Sequence, residues 1–112
     1  MFKQATTEKF WATVKAEYQK EDGARGTVSF EVQYKRLPRR KWWALMEANK
    51  GVDDADLNFA REVVCDWRRV PDDDGAEVPF SVEKLDEMYD LGFCTPIILT
   101  YIRANPQAKE KN

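Results

Sequence analysis

Three consecutive aspartates, Asp72 to Asp74, stand directly before Gly75 and form the densest group of potential metal ligands in the sequence. Carboxylates at such spacing suit a calcium loop, in which a glycine occupies the sixth position. With Gly75 at that position the two outer aspartates fit, but Val70 falls at the first position and Ser81 at the twelfth, where carboxylates are needed. The pattern favours a solvated Asp-Gly turn, and we predict no metal site.

The residues that most often carry catalysis are missing or scattered. The sequence has no histidine, which removes the commonest general base, the imidazole-dependent triads and most zinc sites. Cys65 and Cys94 stand far apart, which favours free buried thiols and leaves a disulfide open. The five glycines form no phosphate-binding loop. An enzyme would have to rely on bare carboxylates or a lysine, so we predict a protein without catalytic residues or cofactor.

Three tryptophans and two arginines are the candidate protein-binding residues: Trp11, Trp42, Trp43, Arg39 and Arg40. Trp42 and Trp43 are adjacent, so on a helix they lie about 100° apart and a narrow apolar stripe cannot fully bury both. Trp11 falls on the polar side of an alternating strand. Large rings on a solvated face either cover part of the core or anchor a protein interface.

Charge is unevenly distributed along a chain whose net charge is −2. Residues 35–50 carry six basic groups against one acidic group, whereas residues 53–90 carry thirteen acidic groups against four basic ones. The basic block has Arg36, Arg39, Arg40 and Lys41 beside tryptophans, a combination that suits nucleic acid. The overall acidity makes a dedicated nucleic-acid-binding protein the less favoured interpretation.

Two alternating runs predict an antiparallel β-hairpin over residues 9–35. From Lys9 to Gln19, apolar and polar residues alternate with a period of two, as in a half-buried strand. The same alternation returns from Val28 to Lys35, after a turn-rich link with two glycines. Two strands alone are marginally stable, so their apolar face must pack on helices.

Four amphipathic helices are predicted over residues 38–106, each with apolar residues three or four positions apart. Each predicted helix begins at a proline, at a capping side chain or at both. The starts are Pro38, Asp53, Ser81 and Thr95. The second helix carries the stripe Leu57, Ala60, Val64 and Trp67. Gly51, Gly92 and Pro106 close the first, third and fourth helices.

The basic residues Arg39 to Lys41 fall in the first turn of the first predicted helix, where the helix dipole disfavours cations by about 0.3–1 kcal/mol each. Either the helix begins later than predicted, or these charges serve a partner.

The chain therefore predicts a single α+β domain over residues 1–112, with an N-terminal hairpin packed on about four helices and a frayed tail at 107–112. A second short hairpin around 67–80 is an open alternative, because Asp74-Gly75 is a strong turn signal between apolar arms.

The longest apolar stretch, Pro96 to Leu99, is far below the roughly 20 residues that a membrane helix needs. Residues 1–10 lack the layout of a secretory signal. We therefore expect a cytosolic protein without membrane contact.

Several short sequence motifs follow one another in an order that resembles the order in the small tail assembly chaperones of long-tailed bacteriophages. The resemblance covers the chain from about residue 9 onward and rests on the order of these motifs. Each motif alone is unspecific, because it contains only residues that are common in turns and helix caps. The motifs are Phe30 to Pro38, Val64 to Trp67, the Asp74-Gly75 turn, Val78 to Ser81 with the helix after it, and a Lys-Asn end.

The resemblance implies a non-catalytic protein that binds the tape measure protein and keeps it soluble while tail tube subunits polymerise. It implies residence in the bacterial host cytoplasm and absence from the finished virion. The tail tube protein and a second copy of the chain are further partners to test. Two other classes stay open: a structural tail component such as a terminator or connector protein, and a small nucleic-acid-binding regulatory module.

Overall fold

The computed structural model describes residues 9–72 and 74–104. A three-stranded antiparallel sheet, in the order β1-β2-β3, packs against four helices, which confirms the α+β prediction. The elements in chain order are β1 (Lys9–Gln19), β2 (Arg25–Lys35), α1 (Arg39–Ala48), α2 (Ala55–Val63), β3 (Val64–Arg68), α3 (Val82–Asp90) and α4 (Cys94–Ala104).

The predicted hairpin is confirmed over its whole length. β1 and β2 pair without interruption from Lys9 opposite Lys35 to Gln19 opposite Arg25. The alternation places one set of side chains against the helices and leaves the other face of the sheet to solvent. The fully or nearly buried members of the inner set are Val14, Ala16, Phe30, Val32 and Tyr34.

The second predicted helix is too long, because α2 ends at Val63 and the next five residues form β3. Val64 and Trp67 are buried as predicted, but they point inward from a strand, with Trp67 opposite Val32 in β2. A β-branched and an aromatic residue suit a strand, and pairing with β2 satisfies their backbone groups in place of helical bonds.

The helix starts agree with the sequence prediction at Ser81 and differ at Asp53. The Ser81 hydroxyl accepts a hydrogen bond from the Lys84 backbone N–H at 3.1 Å, as an N-cap does. Asp54, one residue after the predicted cap, is the N-cap of α2, and it makes no side-chain capping bond. The predicted stop at Pro106 and the tail at 107–112 lie outside the described residues.

The segment between β3 and α3 is a tight turn and contains only a single bridge, between Pro71 and Glu77, within its described residues. The Val78 N–H donates to the Val70 carbonyl at 2.7 Å. The Trp67 indole N–H donates to the Val78 carbonyl at 2.8 Å, which fastens the turn to the sheet. The second hairpin is therefore much shorter than the predicted span, and β3 supplies the third strand.

Two buried tyrosines join the sheet to α4. The Tyr34 hydroxyl donates to the Ile97 carbonyl at 2.7 Å, and the Tyr101 hydroxyl donates to the Lys35 carbonyl at 3.3 Å. The Tyr101 oxygen also accepts from the Leu37 N–H at 3.2 Å. Burial raises the pKa of Tyr34, so its hydroxyl stays protonated and keeps its role as a donor.

We expect Tyr101→Phe to lower the free energy of unfolding by about 1–3 kcal/mol, because the buried Leu37 N–H loses its acceptor. Urea denaturation monitored by circular dichroism measures the change. Tyr89→Phe is the matched control, since the Tyr89 hydroxyl makes only a long, exposed contact of 3.5 Å with the Asp53 carbonyl. Equal stability of the two variants would contradict the role assigned to Tyr101.

Candidate functional site

Trp42, one of the predicted binding anchors, belongs to the core. Its side chain is 1% exposed, and its ring centroid lies 5.3 Å from those of both Phe59 and Tyr101. Trp42 thus packs between α2 and α4, so it offers no surface to a partner. Its neighbour Trp43 is half-buried and packs against the same core, in keeping with the expectation that both rings cannot be fully buried.

Trp11 lies on the outer face of the sheet, away from the helices, and is 38% exposed. The Arg68 guanidinium carbon sits 4.1 Å from the centre of its ring, a cation–π contact that covers one side of the indole. Arg68 also forms a short ion pair with Glu31, and this hydrogen bond holds the pKa of the Glu31 carboxyl below its usual value. Trp11 is thus partly covered by its own chain.

Arg39, Arg40 and Lys41 are exposed in the first turn of α1, which contains no acidic residue. Because α1 begins at Arg39, the interpretation that the helix starts later is wrong. None of the three has an ion-pair partner among residues 9–72 and 74–104. The five predicted binding residues therefore do not form one site, since Trp42 is in the core and Trp11 is on the outer face of the sheet.

An open pocket lies near the tip of the hairpin, and we call it the hairpin-tip groove. Its volume is about 750 Å³, and its walls are the last residues of β1, the start of β2, the turn after β3 and the end of α3. The apolar side chains that line it include Tyr18, Phe30, Pro71, Leu91 and Phe93.

The groove follows from a mismatch of lengths. An 11-residue strand extends over about 37 Å, whereas an 11-residue helix covers about 16 Å. No single helix of nine to eleven residues can therefore cover the inner face of an 11-residue hairpin from end to end. The tyrosine bonds fix α4 near the Lys35 end of the sheet. The part of the inner face near the tip is left open.

Two apolar side chains of the groove are exposed, Leu91 at 69% and Tyr18 at 42%. Leu91 directly follows α3, whose last carbonyl groups are satisfied by backbone hydrogen bonds. The Gly92 N–H donates to the Tyr89 carbonyl at 3.0 Å, and the Phe93 N–H donates to the Met88 carbonyl at 2.9 Å. Gly92 adopts the left-handed φ of 86° that this closure requires. The backbone thus holds Leu91 at the rim while Phe93 packs inward.

Tyr18 lies across Gly26, its direct partner in β2. A Cβ atom added at Gly26 would lie 2.5 Å from the Cζ atom of Tyr18, so the glycine leaves the space that the ring fills. The pair positions an aromatic wall of the groove.

Glu17 and Asp72 are the charged residues that border the groove, and no lysine or arginine lines it among the described residues. Because Tyr18 faces inward, the strand alternation directs the Glu17 side chain to the outer face of the sheet. Glu17 pairs with Arg25 at 2.8 Å, and both side chains are largely exposed. The Asp72 Oδ1 atom accepts the backbone N–H groups of Asp74 at 2.8 Å and Ala76 at 2.9 Å, which fixes this carboxylate at the rim.

Neither a metal site nor an activated thiol is found in the part of the chain that the structure describes. No group of three or more potential metal ligands is assembled there. Both cysteines are free thiols. Burial first, and then the nearby Asp56 and Asp86 carboxylates, raise the pKa of Cys94 to about 12, so this thiol is protonated at neutral pH.

The groove residues were not among the sequence predictions. The alternation from Lys9 to Gln19 predicts Tyr18 on the apolar face of β1, which is correct, but the sequence alone does not show that the helices stop short of it. Leu91 stands next to the helix-closing Gly92, outside every apolar stripe, and that position was its one visible signal.

Comparisons of the chain with family models, curated proteins and solved structures find no match. Within residues 9–72 and 74–104, none of the helices has the length and apolar character needed to cross a membrane.

We expect Arg68→Met to raise the pKa of Glu31 toward its ordinary value, because the largest cause of its lowering is the hydrogen bond from Arg68. A carboxyl whose pKa is lowered on folding stabilises the protein above its unfolded pKa, and this contribution is lost as the pH falls through the folded pKa. NMR titration of the Glu31 side chain measures the shift. Arg25→Met, which breaks the Glu17 pair instead, should leave the Glu31 titration unchanged; a shift there would contradict the assignment.

Proposed function

We propose that the protein is a non-catalytic bacteriophage tail assembly chaperone that binds the tape measure protein and keeps it soluble during tail tube assembly. The observation that carries the proposal is the hairpin-tip groove, an apolar opening of about 750 Å³ with a leucine that is 69% exposed at its rim. An exposed apolar groove on a small protein is typical of a surface that binds another polypeptide.

The groove suits a helical client better than a small compact ligand. An amphipathic helix presents apolar side chains on one face at intervals of three and four residues, and such a ridge fits an open apolar groove. The walls are mostly hydrophobic or aromatic, and they offer few polar groups that would select a small molecule by its hydrogen bonds. A tape measure protein, as a very long helical chain, presents many such ridges.

The groove replaces the tryptophans as the proposed client surface. Trp42 is buried in the core, and Trp11 has one side of its ring covered by Arg68. Leu91 and Tyr18 are available without rearrangement of the core.

We expect Leu91→Ser to weaken protection of the client, so that roughly ten times more protein is needed to prevent turbidity. The assay mixes the protein with a fragment of the tape measure protein encoded in the same phage genome and records light scattering over time. Leu99→Ser is the matched control, because Leu99 is a leucine of α4 that is 45% exposed and does not line the groove.

The Leu99→Ser variant should protect the fragment as well as the parent does. If Leu91→Ser, with an unchanged circular dichroism spectrum, also protects as well as the parent, the groove is not the client surface.

A nucleic-acid-binding function is the second candidate, because Arg39 and Arg40 occupy a helix turn where their charge is unfavourable. This candidate predicts binding of single-stranded DNA that weakens steeply with added salt. Replacement of both arginines by glutamate should abolish that binding while raising the free energy of unfolding by about 0.3–1 kcal/mol for each site.

Fluorescence anisotropy with a labelled oligonucleotide measures the affinity, and Lys15→Glu on the outer face of the sheet is the control. An absence of binding to the parent protein at low salt excludes the candidate.

A further inference from the structure

The outer edge of β1 is an open strand edge of 11 residues. The sheet order β1-β2-β3 leaves this edge without a partner strand within residues 9–72 and 74–104. We infer that two copies of the protein pair along it, antiparallel and about a two-fold axis at Thr13, and so join their sheets into one. This dimer rests on the strand edge and not on the groove, so it stands apart from the proposed function.

β1 lacks most of the features by which proteins protect an open edge, such as a proline, a bulge or an inward-pointing charge. It contains no proline, pairs with β2 without a bulge, and directs only apolar side chains inward. Lysine is another protective feature, and β1 has two, Lys9 and Lys15, both on the exposed outer face. An edge of this kind accepts a further strand wherever the added strand supplies partners for the lysines.

The backbone groups that face this edge belong to the odd-numbered residues. The Lys20 N–H donates to the Ala24 carbonyl at 2.7 Å, so these two residues form a hydrogen-bonded pair at the hairpin turn. Bonded and non-bonded pairs alternate along an antiparallel ladder, and β1 pairs with β2 without interruption. The even-numbered residues of β1 therefore bond to β2, and the odd-numbered ones direct their N–H and C=O groups outward. These outward groups include those of Thr13.

One register gives every outer-face side chain from residue 9 to residue 17 a favourable partner. With Thr13 opposite Thr13 of the second copy, Lys9 lies opposite Glu17, and Trp11 lies opposite Lys15. Paired threonines, opposite charges and a cation beside an indole ring each stabilise an antiparallel pair. The two-fold axis repeats the lysine–glutamate and tryptophan–lysine contacts, and the ladder gains about ten backbone hydrogen bonds.

The neighbouring registers are less favourable. An axis one residue nearer the N-terminus places Lys9 opposite Lys15, and an axis two residues nearer the C-terminus places Lys15 opposite itself, so both pair like charges. An axis one residue nearer the C-terminus pairs no opposite charges, because Glu17 then faces Trp11. A shift of three residues pairs Lys15 with Glu17 but leaves only residues 13–19 of β1 in the ladder. The charges therefore select the axis at Thr13.

Both members of the lysine–glutamate pair are available in the single copy. Lys9 stands directly opposite Lys35 in the hairpin, a like-charge pair that a carboxylate of the second copy would relieve. Glu17 pairs with Arg25 at 2.8 Å, but the two side chains are 66% and 81% exposed, so this pair is weak. The Glu17 carboxylate can therefore accept a second cation at small cost.

Sedimentation velocity at low salt, over a range of protein concentrations, tests the dimer. The parent protein should show a monomer–dimer equilibrium. Lys9→Glu and Glu17→Lys each place like charges opposite each other at both ends of the ladder, so each should raise the dissociation constant at least about tenfold. An equimolar mixture of the two variants should form a heterodimer of about parental affinity, because glutamate then faces lysine at both ends.

Lys20→Glu is the matched control, since it reverses an exposed charge in the turn beyond the paired residues and should leave dimerisation unchanged. Amide hydrogen exchange gives a local measurement. The N–H groups of Trp11, Thr13 and Lys15 should exchange more slowly at concentrations at which the dimer forms, because they gain acceptors from the second copy. Circular dichroism melts establish that each variant is folded.

Three results overturn the proposal: a parent protein that stays monomeric at the concentrations used for NMR, single variants that dimerise as the parent does, or an equimolar mixture that stays monomeric. Loss of the dimer in Lys20→Glu would also overturn it, because net charge would then explain the other variants. None of these results bears on the proposed function, whose failure would appear as unchanged protection of the tape measure fragment by Leu91→Ser.

Discussion

The hydrogen bonds of two tyrosine hydroxyls to the backbone hold the layers of this protein in register. Tyr34 reaches from β2 to the first turns of α4, and Tyr101 reaches back from α4 to the chain that leaves β2. The two rings lie 5.3 Å apart and Trp42 packs on Tyr101, so the bonds sit inside an aromatic cluster that excludes water. Directional bonds in an apolar surrounding fix α4 at one end of the sheet, where the hydrophobic effect alone would allow it to slide.

The groove depends on this placement. With α4 fixed near the Lys35 end, short helices leave the inner face near the hairpin tip uncovered, and Tyr18 and Leu91 stay exposed. Leu91 is 69% exposed beside a helix end that is closed by its own backbone bonds, so the local backbone keeps this leucine at the surface.

Local chemistry predicted most of the elements. Alternation gave the hairpin with its correct inner face, and Ser81 marked the start of α3, because each of these signals acts over a few residues. β3 was not predicted because Val64 and Trp67 fit a helical stripe as well as they fit a strand. Pairing with the edge of β2 decides in favour of the strand, and the local sequence does not show that pairing. The groove was missed for a related reason: it arises from the relative lengths of strands and helices, which no single segment shows. The burial of Trp42 could not be predicted, because two adjacent tryptophans on a helix do not reveal which of them faces the core.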